Sequence, residues 1–499
     1  MSPIPAAAAP GAPDARQRRE FRQAVLVACV TMFAEGFYAT MSFPFASFMV
    51  EHLRGTRVHL GTMTGLFFTA FPLGSLCSAR LWGSLANDWG RRSCLLTSLV
   101  VNILVCLAIA VCPSYELVVA VRFAQGLLNC SLPMTRTALR ERVQELGGDE
   151  VRAFSLLQAA FAVSCVSGPA LGGTLYGWPE QDGVLLPWAF VHILALCFYV
   201  ASLGCNYMYM EETLDLETSS DWRRQRSSEV VLCSDSVLVY FLTMVAGHSY
   251  VFTGWEVGYP LLARSSQLEA WSSAMIGTTF LVGSVCLFLH TMFTYRPMVK
   301  HLGLSAVWSL SWIICILVLV VFPRLLRLLL LWGFQGESWT IIVMNYVVQS
   351  FVSVLQGCNF TTLQLMLNEI IGARIDGEYA LPLANGWVVS VQGLARAISP
   401  IMTGSFVNWS SVCGGVLSFD ILAVIAAVCC SILGWRLQKR MQQNGGGQHA
   451  REKPLEAGAL TEGYSELPDG VSGGCKGFSN GIAGQGKNSI KWQEPPLHH

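Results

Sequence analysis

Five ionisable side chains lie inside long apolar stretches of this sequence: Glu35, Arg122, Glu256, Arg396 and Asp420. An ionisable group at the centre of a bilayer costs about 2.5–3.5 kcal/mol on insertion scales, so by default it marks a path for protons, ions or polar solutes. A helical rise of about 1.5 Å per residue puts Glu35 and Arg122 about 10 Å below the same face of a membrane core about 30 Å thick. We therefore expect these two side chains to face each other.

A carboxyl group beside a guanidinium can load and release a proton. Burial in a dry cavity favours the neutral acid, whereas a nearby guanidinium favours the carboxylate. A movement that changed the distance between Glu35 and Arg122 would therefore switch Glu35 between holding and releasing a proton. The alternative is a permanent ion pair that holds the two helices together.

The other charges allow different readings. Glu256 falls near one end of its apolar stretch. The sequence is equally consistent with a hydrated residue at the mouth of a cavity and with a residue that binds the solute. Arg396 and Asp420 fall at similar depth, and we predict a structural ion pair between them. Polar side chains that could contact a solute are Asn129, Gln356 and Asn359.

The sequence offers little support for metal binding or catalysis. Its histidines lack metal-ligand spacing, and hydrolase, Walker-loop and paired-carboxylate motifs are missing from it. We therefore predict no resident metal, no cofactor and no enzymatic activity. A formal net charge of zero gives no reason to expect a nucleic-acid partner.

Membrane helices are the elements that must position these residues. The chain has 499 residues, of which 53% are hydrophobic and only 13% are charged, about half the charged share of a soluble domain. Twelve apolar stretches approach the roughly 20 residues that a helix needs to cross a bilayer. The predicted spans are 23–47, 60–82, 93–112, 115–138, 152–177, 186–206, 236–262, 268–294, 304–322, 339–361, 381–405 and 413–436.

These spans predict an all-α, polytopic membrane protein with twelve transmembrane helices in two pseudo-symmetric six-helix bundles. The predicted units are an N-terminal tail (1–22), the first bundle (23–206), a central loop (207–235), the second bundle (236–436) and a disordered tail (437–499). Lys and Arg collect in the segments that share a side with the two termini, so we expect both termini to be cytosolic. The plasma membrane and a vacuolar or endosomal membrane fit equally.

The two halves repeat each other. The segment "RFAQGLLN" (122–129) is answered by "SVLQGCNF" (353–360), and "SGPALGG" (167–173) by "SPIMTGS" (399–405). Such repeats are a sign of transporters whose halves rock around a central site. Small residues and prolines in these segments allow close backbone approach and kinking, as a hinge or as static packing. They are Gly168, Pro169, Gly172, Gly173 and Pro400.

Three motifs resemble signatures of the major facilitator superfamily. The segment "GSLANDWGRRSCLL" (83–96) resembles G-x-L-A-D-R-x-G-R-R, "RFAQG" resembles R-x-x-Q-G, and "SGPALGG" resembles G-P-x-x-G-G. Segments 35–53, 248–261 and 384–400 resemble the drug:proton antiporter branch that contains the zinc-induced facilitator-like proteins. The chain departs from that branch at Gly36, at Ser164 and at Ser399, which stand where Pro, Gly and Gly are usual.

The resemblance implies a monomeric secondary active transporter in a lipid bilayer. It would move a small organic solute by alternating access, in exchange for protons. We expect an amphipathic or chelated organic cargo rather than a bare divalent cation. The alternative is a non-transporting sensor or receptor on the same fold.

In relatives, a carboxylate of the loop after the second span pairs with arginines and with a helix N-terminus of the other half, which latches one side closed. Asn87 holds that position here, so we expect a weaker latch, or one rebuilt through Asp88. The alternative is a solvated turn whose arginines merely set topology. The segment's candidate gate residues are Gly83, Asn87, Asp88, Gly90, Arg91 and Arg92.

Overall fold

The computed structural model describes residues 15–178, 186–212, 236–264, 271–336, 338–372, 377–409 and 416–432, and within them all regular structure is helical. The first half contains α1 (Ala15–Met41), α2 (Ala46–Arg54), α3 (Leu60–Trp89), α4 (Arg91–Val111), α5 (Tyr115–Leu128), α6 (Ser131–Glu145), α7 (Glu150–Leu175) and α8 (Ala189–Tyr209). The second half contains α9 (Ser236–Ala263), α10 (Ser273–Leu289), α11 (Tyr295–Leu302), α12 (Leu304–Leu331), α13 (Trp339–Gly372), α14 (Gly377–Trp409) and α15 (Val416–Ile425), with π-helical turns at His290–Thr294 and Ala426–Ile432.

Each of the twelve predicted spans contains a helix, and ten helical segments of the described part are long and apolar enough to cross a membrane. Helix α1 begins at Ala15, within the segment predicted as an N-terminal tail. The ninth span is longer than predicted, because α12 continues through Pro323 to Leu331. Most of the predicted central loop and the whole tail, 437–499, lie outside the described residues.

Two predicted spans are interrupted for local chemical reasons. The first span divides around Pro44, whose ring lacks a backbone N–H and cannot continue an α-helix. The fourth span divides at Asn129, which has extended backbone angles. The Asn129 Oδ1 atom accepts the backbone N–H of Ser131 at 2.8 Å and so satisfies a free donor at the start of α6.

Buried apolar side chains form a separate core in each half. Phe37, Phe67 and Trp188 lie in a core built from the first half. Trp255 and Trp308 lie in another, built from the second half. Apolar burial therefore stabilises each bundle, and Phe43 and Phe48 of the first half also pack against the core of the second.

Another contact between the halves is the crossing of α3 and α14. A Cβ atom added to Gly61 or to Gly404 would collide with the backbone of the other residue, and Gly65 lies equally close to the Pro400 carbonyl. Asn408 completes the crossing, because its amide accepts the Gly61 N–H at 2.9 Å and donates to Thr62 at 3.0 Å. Backbones meet here without side chains between them.

The crossing of α7 and α10 is its counterpart. Gly173 lies against Ser273 and Gly277, and a Cβ atom on Gly277 would come within 2.7 Å of the Pro169 carbonyl oxygen. The Ser273 hydroxyl donates to the Gly173 carbonyl at 3.0 Å. In both sequence repeats, therefore, a proline and the glycine four residues after it lie in close contact with the opposite half.

The other repeat also packs in equivalent ways. Gly126 of the first half lies against the α3 backbone at Phe71 and Gly74. Gly357 of the second half lies against Leu287 of α10, the helix that occupies the place of α3 in its own bundle. The glycine of the repeated glutamine–glycine pair therefore packs against the equivalent helix in both halves.

The two ends of the molecule differ in how the halves meet. We call the end that carries Glu51 and Arg264 the Glu51 end, and the opposite end, with Arg91 and Glu212, the Arg91 end. At the Glu51 end, Glu51 and Arg264 form an ion pair between the halves, and the hydrogen bonds of Asn408 and Ser273 described above also cross between them. The molecule is closed at the Glu51 end.

Gly404→Ala should weaken this closure, because its new methyl group meets the Gly61 backbone, which has no flexible side chain to yield. We expect a loss of roughly 1–3 kcal/mol in the free energy of unfolding, the usual range for overpacking. The measurement is thermal unfolding of the purified protein, monitored by intrinsic tryptophan fluorescence. Gly393→Ala on the same helix is the matched control, because its Cβ atom would enter open space. Equal effects of the two substitutions would show that the crossing is not tightly packed.

Candidate functional site

Glu35 lies inside the first bundle at the centre of a hydrogen-bonded network of neutral groups. Its carboxylate accepts the Asn102 side-chain amide at 2.8 Å and the Asn129 amide at 3.3 Å. Only 5% of the residue is exposed. Within the described residues it forms no ion pair, so its charge is balanced only by hydrogen bonds.

The network extends through residues that sequence reasoning missed. Gln125 donates to the Asn102 carbonyl oxygen at 2.9 Å, and Ser98 donates to the Asn129 carbonyl oxygen at 2.8 Å. Ser98 also shares a hydrogen bond of 2.7 Å with Ser131. The available signals were the glutamine of the quoted motif "RFAQG" and a single asparagine in the apolar stretch "VVNILV" (100–105).

Arg122 is buried in the same bundle but does not contact Glu35. Its guanidinium donates to the Ser42 hydroxyl at 3.1 Å and lies 4.0 Å from the centre of the Phe67 ring. The Tyr38 ring lies on another side of it, 5.5 Å away. The expectation that the two charges face each other is therefore wrong for this conformation, in which an aromatic cage holds the arginine.

A second carboxylate, Glu256, lies in the second bundle on α9. Its Oε1 atom accepts the Gln356 amide at 2.9 Å, and the side chain is partly buried rather than sealed. Asn359, one turn along α13 from Gln356, is fully buried, and neither polar atom of its side chain has a hydrogen-bond partner in the part of the chain described. Gln356 and Asn359, the two polar residues that the sequence analysis selected in this half, therefore lie one turn apart on the same helix.

The predicted ion pair between Arg396 and Asp420 is wrong. Both oxygens of Asp420 are taken by Arg324, at 2.7 and 2.9 Å. This pairing exists because α12 runs farther than predicted and places Arg324 on a helix rather than in a loop. Arg396 is instead exposed.

The twin arginines after α3 form contacts within the first half. The Glu212 carboxylate accepts the backbone N–H groups of Arg91 and Arg92 at 2.8 and 3.2 Å, at the start of α4. The preceding Gly90 has a φ of 86°, a conformation that favours glycine. Asp88 is exposed, and the surroundings of Gly83 and Asn87 lie outside what the structure describes. The predicted latch through Asp88 therefore stays a prediction.

The glycines of the fifth span divide between two faces of α7. Gly168 lies against Thr40 and Phe37 of α1, and Gly172 lies against the Met41 backbone. Gly173 faces the opposite half, as described above. Helix α7 therefore contacts both the Glu35 helix and the crossing between bundles.

Comparison with known proteins identifies the family. The Major Facilitator Superfamily model matches residues 28–373. The chain belongs to the Major Facilitator Superfamily. It is accordingly an integral, multi-pass membrane protein of a transporter family and not an enzyme.

Individual members of the superfamily are distant in sequence. A probable peptide/nitrate transporter of Arabidopsis thaliana is 23% identical over 74% of this chain and 80% of its own length. Zinc Induced Facilitator 1 of Arabidopsis thaliana is 21% identical over 77% of this chain and 85% of its own length. The crystal structure of the nucleoside transporter NupG shares the fold, with a TM-score of 0.62 over 85% of this chain and 99% of that one, at 12% identity.

Asn102→Ala removes a donor to Glu35 and the acceptor for Gln125, so it should change how the protein responds to pH. We expect the pH optimum of solute uptake into proteoliposomes to move by a measurable fraction of a unit, in addition to any loss of stability. Asn206→Ala is the matched control, because Asn206 is equally buried and hydrogen-bonded, at 2.8 Å to Thr31, outside this network. An unchanged pH profile of uptake in both variants would show that Asn102 does not influence proton binding.

Proposed function

We propose that this protein is a secondary active transporter that exchanges a small organic solute for protons by alternating access. The proposal rests chiefly on one observation: a buried carboxylate, Glu35, is held by neutral hydrogen-bonding groups, and by no ion pair within the described residues, in the interior of a transporter-family bundle. A binding site for protons needs a group that can exist with and without its proton in the same place. The wider family supports transport itself.

The Glu35 network can hold either protonation state. An asparagine or glutamine side chain carries both donors and acceptors, so rotation of its amide can turn a donor toward a carboxylate or an acceptor toward a carboxylic acid. Asn102 and Asn129 both lie within hydrogen-bonding distance of Glu35. A permanent salt bridge would instead fix the charged form.

Arg122 is proposed to tune this site from a distance. The Arg122 guanidinium lies 5.5 Å from the centre of the Tyr38 ring, and Tyr38 follows Glu35 by less than one turn of α1, so the two charges share one region of the bundle without touching. A shift of α1 relative to α5 would change their separation and hence the proton affinity of Glu35. Solute bound beside Glu35 would compete with the proton, and exchange would follow.

The orientation of the molecule is part of the proposal. The Arg91 end carries the clustered basic residues that typically remain cytosolic. With both termini cytosolic, the closed Glu51 end faces outward and this conformation would admit solute from the cytosol. The proposal applies equally to the plasma membrane and to a vacuolar or endosomal membrane.

Glu35→Gln should abolish uptake driven by an imposed pH gradient while preserving binding of a neutral solute, because the amide cannot release a proton. The measurement is flux of a broad panel of organic solutes into proteoliposomes. Glu116→Gln, at an exposed carboxylate of α5, is the matched control and should retain uptake. Full proton-driven uptake by well-folded Glu35→Gln protein would refute the assignment, and specific binding without flux of any solute would favour the sensor alternative.

Arg122→Ala should move the pH optimum of uptake upward or stop transport. Removal of a positive charge makes release of the Glu35 proton harder, so a higher pH is needed for it. The full pH profile of uptake measures this shift, and size-exclusion chromatography establishes that the variant is folded. A downward shift would contradict the proposed role.

Asp88→Asn tests the proposed latch at the Arg91 end. We expect it to lower transport and to increase cysteine labelling from that end, because the opposite half would lose a charged partner when this end closes. Asn87→Asp restores the carboxylate usual at that position and should be tolerated or favour closure. Unchanged flux and labelling in Asp88→Asn would contradict the latch and favour the alternative, in which the segment is a solvated turn.

A further inference from the structure

A shallow groove of about 440 Å³ runs along one face of α1 where this helix begins. Glu20 of α1 and Glu211 both form ion pairs with Arg142, which places the groove at the Arg91 end of the molecule. The groove is lined by Arg18, Arg19, Arg22, Gln23 and Leu26. Basic side chains therefore occupy one end of it, and an apolar side chain occupies the other.

The groove follows a face of α1 that is open to the lipid. Arg19, Leu26 and Phe33 follow each other at intervals of seven residues, so they lie on one face of the helix. Phe33 packs edge to face against Phe198 of α8, with 5.1 Å between the ring centres, whereas Leu26 is 63% exposed. The neighbouring Val25 is buried in a cluster with residues of α6 and α7. The exposed face therefore points away from those two helices and toward α8, where a leucine in a membrane span contacts acyl chains.

The positive charge of the groove is not cancelled by neighbouring acids. Glu20, the acidic side chain of these turns, pairs instead with Arg16 at 2.9 Å and with Arg142 at 3.4 Å. Arg19 and Arg22 form no ion pair within the described part of the chain, and both side chains are exposed. Like charges this close repel each other, so the groove is complementary to an anion.

A phospholipid matches both ends of this groove. Four residues, or about 6 Å of helix, separate Arg22 from Leu26, which is about the thickness of the headgroup layer on one side of a bilayer. A guanidinium forms two parallel hydrogen bonds with a phosphate group, and clustered basic residues beside a membrane helix attract anionic lipids. A free phosphate would contact the arginines but leave Leu26 uncovered.

We propose that the groove binds an anionic phospholipid, with its phosphate at Arg19 and Arg22 and an acyl chain against Leu26. The proposal goes beyond the transport function and stands independently of it, since it requires only that α1 cross a membrane. A lipid bound here would hold the first turns of the helix that carries Glu35.

Native mass spectrometry of the purified full-length protein tests the groove with two lipids that share their acyl chains. Dioleoyl phosphatidylglycerol is an anion, and dioleoyl phosphatidylcholine has no net charge. We expect phosphatidylglycerol to bind more tightly. Arg19→Gln and Arg22→Gln should each weaken its binding about fivefold, the usual contribution of one basic residue beside an anionic lipid surface, and leave phosphatidylcholine binding unchanged.

A second groove supplies a matched control. It has a similar volume, about 430 Å³, and lies between α12 and α15. Its lining includes Arg324 and Arg327 but also Asp420, whose carboxylate pairs with Arg324. Arg327→Gln therefore removes the same charge from a groove that an acid already partly neutralises, and it should leave phosphatidylglycerol binding unchanged.

Arg22→Lys guards against misfolding because it retains the charge, and it should bind phosphatidylglycerol more tightly than Arg22→Gln. Glycerol 3-phosphate, which carries a phosphate without acyl chains, should not displace the lipid at equal concentration. Equal binding of the two lipids, or equal binding of phosphatidylglycerol by all variants, would overturn the proposal. Displacement by glycerol 3-phosphate would also overturn it, because the groove would then be a site for soluble phosphates.

Discussion

Direct backbone contact at two helix crossings is the constraint on which the rest of this structure depends. Each bundle has its own apolar core, so burial within the bundles does not specify how they meet. In a bilayer, where lipid is as apolar as leucine, helices associate through close packing of small residues and through hydrogen bonds. Gly61 against Gly404, and Gly173 against Gly277, supply that packing at equivalent places in the two halves.

Polar side chains lie one helical turn from each crossing. Directly beneath them lie Arg396 and Cys165, each one turn from the proline of its crossing. The same α7 helix packs Gly172 against the α1 backbone at Met41 and Gly173 against α10. The helix that carries Glu35 and the opposite bundle therefore contact one common element, so a rearrangement at the crossing must be accommodated in the packing around Glu35.

The two buried charges of the first bundle are accommodated by different means. Glu35 is surrounded by amides and hydroxyls, which can present either a donor or an acceptor to a carboxyl group. Arg122 lies against aromatic faces, which stabilise a permanent cation. One environment suits a group that changes its charge and the other suits a group that does not. A direct salt bridge would have made both charges permanent.

The sequence alone determined the helical class, the positions of the spans, their division into repeated halves and the burial of Glu35 and Arg122, because hydrophobicity, helix length and repetition are local properties. Counting residues along a helix gives depth but not rotation about the axis, and each residue turns the side chain by about 100°. Only the tertiary structure therefore decided that Asp420 pairs with Arg324, that Arg122 turns to Phe67, and that Asn102 and Gln125 extend the Glu35 network. Partners of buried charges are chosen by how whole helices pack, which no single stretch of sequence encodes.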